Sequence, residues 1–126
     1  MWLFTEVGFF SVVAIAKQPE VLMVRARDPG DLKRFREKYG KKVMSDIAYT
    51  PDNDYPARVY VYKDAFAQVM AEVVKDLNYS NFKSHVEKVD GLDREMLYSQ
   101  VWYTMTRLEP ETARDSKETP KQRRHR

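Results

Sequence analysis

The chain has 126 residues, no cysteine, 13% aromatic residues and a formal net charge of +3. That length suits one domain with a single core. The missing cysteines exclude disulfides, thiolate metal sites and thiol nucleophiles, so the chain needs no oxidising compartment.

The charge is unevenly spread. Residues 110–126 carry six basic against three acidic side chains, while residues 1–109 are neutral. Within that neutral body, residues 25–42 hold eight basic against three acidic side chains.

The opening stretch MWLFTEVGFFSVVAIA is the most apolar part of the chain. Read as one extended strand, its period of two puts Trp2, Phe4, Phe10, Val12 and Ala14 on one side. Leu3, Val7, Phe9, Val13 and Ile15 share the other side with Thr5 and Ser11. Neither side is polar, which predicts a central strand, and Gly8 lets it bulge or bend into two pieces. Residues 7–16 end in small residues, as a secretory leader does. The stretch before them, however, carries Glu6 and no Lys or Arg, and the run is far short of the ~20 residues that span a bilayer. The expected location is the cytoplasm.

After a turn at residues 17–20, residues 21–27 alternate Leu22, Val24 and Ala26 with Met23, Arg25 and Arg27. This predicts a half-buried strand paired with the first. Asp28 is placed to cap a helix that has Pro29 at its first position and Asp31 near its positive end. That helix buries Leu32, Phe35 and Tyr39, exposes Lys33 and Arg34, and stops at Gly40. Residues 43–50 read as a third strand diluted by Ser45 and Asp46. A turn follows, Tyr55-Pro56 is extended, and residues 58–62 form a fourth strand with Val59 and Val61 inward. Asp64 caps the next helix, striped by Phe66, Val69, Met70, Val73 and Leu77. A short helix follows on Phe82, Val86 and Val89. The last begins near Asp93 and buries Leu97, Val101, Met105 and Leu108.

The order ββαββα with a C-terminal helix pair predicts an α+β fold. It is a two-layer sandwich whose antiparallel sheet of about four strands carries its helices on one face. Residues 1–109 are expected to form this single domain, and 110–126 a disordered basic tail.

The segments Met1-Trp2, Phe4-Thr5 and Gly8-Phe9-Phe10-Ser11-Val12-Val13 make a distinctive opening. Val24-Arg25-Ala26-Arg27, Asp54-Tyr55-Pro56, Asn78-Tyr79-Ser80-Asn81-Phe82-Lys83, and Tyr98 with Val101-Trp102 extend the pattern. Together they resemble a family of short bacterial and bacteriophage proteins of unknown function. The resemblance implies a bacterial or phage setting and no particular activity.

Strand parity turns Arg25, Arg27, Arg58, Tyr60 and Tyr62 away from the helices, with Phe9 and Ser11 joining them. Two binding functions follow. Tyr and Arg are enriched in interface hot spots, and a first strand apolar on both faces needs cover on both. The first reading is therefore a non-catalytic module that binds a protein partner or forms a homodimer through the open sheet face. The alternative is single-stranded nucleic acid, RNA above all, stacked on the tyrosines. In that case Lys33 and Arg34 of the basic first helix add salt-sensitive attraction.

Catalysis, metal and cofactor are not expected. Asp52 and Asp54 share a turn, but a calcium loop would need a bidentate Glu where Lys63 stands. His85 reads as a surface histidine, and His125 lies in the tail. Ser11 has neither a neighbouring histidine nor nucleophile-elbow glycines, and the four glycines are too scattered for a phosphate loop.

Overall fold

A computed structural model describes residues 1–110. They form two compact units, Met1–Asn78 and a second that starts at Tyr79. The tail expected from residue 110 lies, after Pro110, outside the described residues.

The opening stretch folds as a hairpin. Strand β1 (Trp2–Thr5) pairs antiparallel with β2 (Gly8–Ile15), Thr5 opposite Gly8. The Thr5 hydroxyl closes the turn, donating to the Gly8 carbonyl at 3.0 Å and accepting from the Val7 N–H at 3.2 Å. The reversal corrects the single-strand reading. Trp2 stands opposite Ser11 and Phe4 opposite Phe9, so Trp2 and Phe4 share a face with Phe9 and Ser11 instead of with Phe10 and Val12.

Strand β3 (Gln18–Ala26) pairs with β2 and with β5 (Ala57–Tyr62), and β4 (Ala48–Tyr49) closes the far edge of β5. The sheet is fully antiparallel with order β1-β2-β3-β5-β4, five strands where about four were expected. The additional strand comes from splitting the first. The expected strand over residues 43–50 shrinks to the two residues of β4 because Met44 turns into the core, 5% exposed. Beside it, Ser45 takes the place of a strand partner. Its N–H donates to the Tyr60 carbonyl at 2.9 Å, and its hydroxyl accepts from the Tyr60 N–H at 2.8 Å.

Helix α1 (Pro29–Phe35) starts as predicted, with Asp28 accepting from the Gly30 N–H at 2.9 Å and Pro29 in the first turn. A π-helical turn over Arg36–Gly40 continues it. Helix α2 (Lys63–Lys75) follows β5 directly, so Asp64 lies inside its first turn instead of capping it. The predicted stripe is buried at Phe66 and Val69, but Leu77, beyond the last turn, is exposed.

Both helices cover the sheet face made by Phe10, Val12, Val24, Ala26, Ala57, Val59 and Val61. Leu32, Phe35, Phe66 and Val69 fill the layer between. The Phe35 ring lies 4.7 Å from that of Phe10 and 6.5 Å from that of Phe66. Each fully buried apolar side chain of this kind contributes about 1.5–3 kcal/mol. The α+β class, the antiparallel sheet and the one-sided packing of α1 and α2 agree with the sequence reading.

At the end of α2, Asp76 accepts a 2.8 Å hydrogen bond from the Tyr39 hydroxyl. Burial first, then this bond and the Asp76 charge, push the Tyr39 phenol above its ordinary value. The folded state holds the proton more tightly, so the associated stability is complete below pH ~10 and is lost as pH rises past it. Tyr39→Phe should cost about 0.5–1.5 kcal/mol at neutral pH, the typical worth of one hydrogen bond. Thermal melts should show the wild type's advantage over the variant shrinking above pH ~10. An unchanged advantage at alkaline pH would contradict the assignment.

The second unit pairs α3 (Phe82–Asp90) with α4 (Leu92–Met105). Asn81 caps α3 by accepting from the Ser84 N–H at 3.0 Å. In α4 the inward residue is Tyr98, 6% exposed and stacked on Phe82 at 5.8 Å. That rotation corrects the predicted stripe, because Leu97, Met105 and Leu108 are all exposed. His85, read as a surface residue, is half-buried and stacks on Tyr79 with the rings 4.5 Å apart.

Candidate interaction face

The sheet face turned away from α1 and α2 is laid out by strand register. Ser11 on β2 stands opposite Arg25 on β3, which stands opposite Arg58 on β5. The next row is Val13, Met23 and Tyr60, and beyond it Val21 faces Tyr62. A hairpin strand and two alternating strands thus bring Arg25, Arg58, Tyr60 and Tyr62 together as expected. Tyr60 is 38% exposed and Tyr62 66%.

Arg27 lies just past the end of β3 and joins the group through a residue that strand parity misplaces. The Arg25 guanidinium carbon lies 4.6 Å from the centre of the Tyr55 ring and that of Arg27 lies 4.7 Å from it. Tyr55 itself is buried. Period two would put Tyr55 with Ala57 on the helix side. The break comes at Pro56, which precedes the first paired residue of β5 and is the one sequence signal that the alternation stops there.

Each guanidinium is held by neutral oxygens. Arg25 donates to the Ser11 hydroxyl at 2.7 Å, Arg27 to the Asp54 carbonyl at 3.3 Å and Arg58 to the Tyr55 carbonyl at 3.3 Å. Among the described residues no carboxylate forms an ion pair with any of the three. The Nε atoms of Arg25 and Arg58 are buried and have no hydrogen-bond acceptor.

The other end of the face is aromatic. The Phe9 ring stacks on Phe4 with centroids 4.6 Å apart and meets the exposed Trp2 edge-on at 5.7 Å. Near the tyrosines, a hollow of about 360 Å³ is lined by Gln18, Val21, Val43, Ser45, Tyr60 and Tyr62, among others.

Lys33 and Arg34 do not belong to this surface. They lie on α1, on the opposite side of the sheet, and Arg34 pairs with Asp31 at 2.6 Å. Among the described residues no cluster of three His, Asp or Glu side chains could hold a metal ion. No helix among them is long and apolar enough to cross a membrane.

Compared with known proteins, the chain matches no family model, no curated protein and no solved structure. The functional reading therefore rests on the geometry of this face.

Proposed function

We propose that the protein is a non-catalytic module that binds another protein through the sheet face turned away from α1 and α2. The observation that carries this reading is the face's composition. Exposed Trp2, Tyr60 and Tyr62 stand beside Arg25, Arg27 and Arg58, the three residue types that dominate binding hot spots. The hollow beside Tyr60 and Tyr62 offers a seat for one apolar anchor of the partner.

Charge selects the kind of partner. Three arginines that form no ion pair among the described residues complement an acidic surface. A homodimer through this face would have to place two such sets in one self-complementary interface. Nucleic acid would favour a continuous basic track, whereas Lys33 and Arg34 lie across the sheet from the arginines.

A random-peptide library panned on the immobilised full chain tests the reading. The expected enrichment is for sequences with Asp or Glu beside an apolar residue, lost on the Tyr60→Ala/Tyr62→Ala double variant. Loss of two hot-spot tyrosines should weaken an enriched peptide by about 2 kcal/mol or more. Equal enrichment on the double variant would overturn the reading. So would steeply salt-dependent binding to mixed-sequence single-stranded RNA that outcompetes the peptides, and light scattering that shows a dimer abolished by the same variant would replace the partner with a second copy.

A further inference from the structure

We infer that Arg25, Arg27, Arg58 and Tyr55 form a carboxylate cradle that seats an Asp or Glu side chain of the bound protein. The inference rests on the reading of this face as a protein-binding surface.

Arg25 and Arg58 stand directly opposite each other on adjacent strands. Like charges so placed repel, and an acid paired with them would relieve the repulsion. None is paired with them among the described residues. Buried polar atoms nearly always have a hydrogen-bond partner, and those that do not call for an explanation. Here two such atoms, Arg25 Nε and Arg58 Nε, sit on neighbouring side chains of one cluster.

The surroundings hold the cluster together without satisfying it. Tyr55 lies against the guanidiniums of Arg25 and Arg27, a contact that favours charge but supplies no acceptor for the buried Nε–H of Arg25. Ser11 takes one terminal nitrogen of Arg25, and the Tyr55 carbonyl and the Met23 sulfur, a weak acceptor at 3.5 Å, take those of Arg58. A carboxylate arriving beside the ring provides the missing acceptor. A modest rotation lets a guanidinium present Nε and Nη as a fork to its two oxygens. The contrast with Arg36 is instructive, since its Nε donates to the Ser45 carbonyl at 2.9 Å and its charge is met by Asp46 at 3.2 Å. Arg36 has what Arg25 and Arg58 lack.

Acetate is the probe. The full chain, labelled with nitrogen-15, is titrated with sodium acetate against sodium chloride at constant ionic strength while the arginine Nε–Hε resonances are followed. The expected result is a saturable movement of the Arg25 and Arg58 signals with that of Arg36 unmoved. Arg58→Gln should weaken the effect roughly tenfold, the loss of a charge-assisted hydrogen bond. Should that variant fail to fold, Arg27→Gln at an exposed position provides the second measurement.

Unsaturated movement shared by Arg36 overturns the cradle. So does monoanionic phosphate, at mildly acidic pH, bound at least tenfold more tightly than acetate, which would assign the site to a phosphate. Saturable acetate binding without enrichment of acidic peptides keeps the cradle and removes the protein partner. Enriched peptides indifferent to Arg58→Gln and Arg27→Gln do the reverse.

Discussion

Gly8→Ala should cost more than about 3 kcal/mol, a large share of the roughly 5–15 kcal/mol that holds a domain of this size together. Two independent effects combine. Gly8 has φ +152°, a conformation that side chains rarely adopt, and an added Cβ would lie 2.4 Å from both Cβ and Cγ of Asp31. Asp31 has little freedom to withdraw. It is 2% exposed, accepts from the Phe9 N–H at 3.0 Å and pairs with Arg34 at 2.6 Å. The carboxylate is therefore a clamp between the first hairpin and α1, and glycine is the residue that makes room for it. Gly91→Ala separates the two effects, because Gly91 also has a positive φ, +97°, but open space where its Cβ would go. Urea melts should show a loss of only about 1–3 kcal/mol there, the cost of the strained backbone alone. Equal losses at both positions would remove the steric part of the argument.

That clamp also marks where sequence reasoning stops. Asp31 was legible as an acid at a helix start, yet its work is done for Phe9, twenty-two residues earlier, and nothing local announces such a contact. The hairpin was hidden for a related reason. The residues inside its turn, Glu6 and Val7, are not typical turn residues, and Thr5 closes it with a side chain. By contrast, β3 and β5 were readable because each is a single alternating strand with one covered face, where period two leaves little freedom. Helix α4 was not, since it carries apolar residues on several sides, and the side that turns in is the one on which Tyr98 stacks on Phe82.

The candidate face divides along the same line. Register placed Arg25, Arg58, Tyr60 and Tyr62 together, as their parity foretold. Tyr55 escaped because Pro56 interrupts the alternation, and Trp2 and Phe4 because the hairpin reverses theirs. That no carboxylate among the described residues pairs with the arginines is a property of neighbours in space. The basic stretch over residues 25–42 looks like one cluster in sequence, but the sheet separates it into arginines on one side and Lys33 with Arg34 on the other.

Phe35→Ala should be the second costly substitution, at about 3–5 kcal/mol. The ring is fully buried at the last residue of α1 and touches three others, Phe10 at 4.7 Å, Tyr39 at 5.5 Å and Phe66 at 6.5 Å. It therefore sits where the sheet, α1 and α2 meet, and no single neighbour can move in to fill the space. Tyr62→Ala, at a side chain 66% exposed on the other face, should change stability by no more than about 0.5 kcal/mol. The pair separates scaffold from surface. Phe35→Ala should lower the unfolding midpoint while whatever remains folded binds an acidic peptide as the wild type does, because the arginines and tyrosines point the other way from the same strands. Tyr62→Ala should keep the midpoint and lose the peptide. Midpoints that fall alike in both variants would mean that Tyr62 belongs to the packed interior, and the division of the sheet into a structural side and a binding side would fail with it.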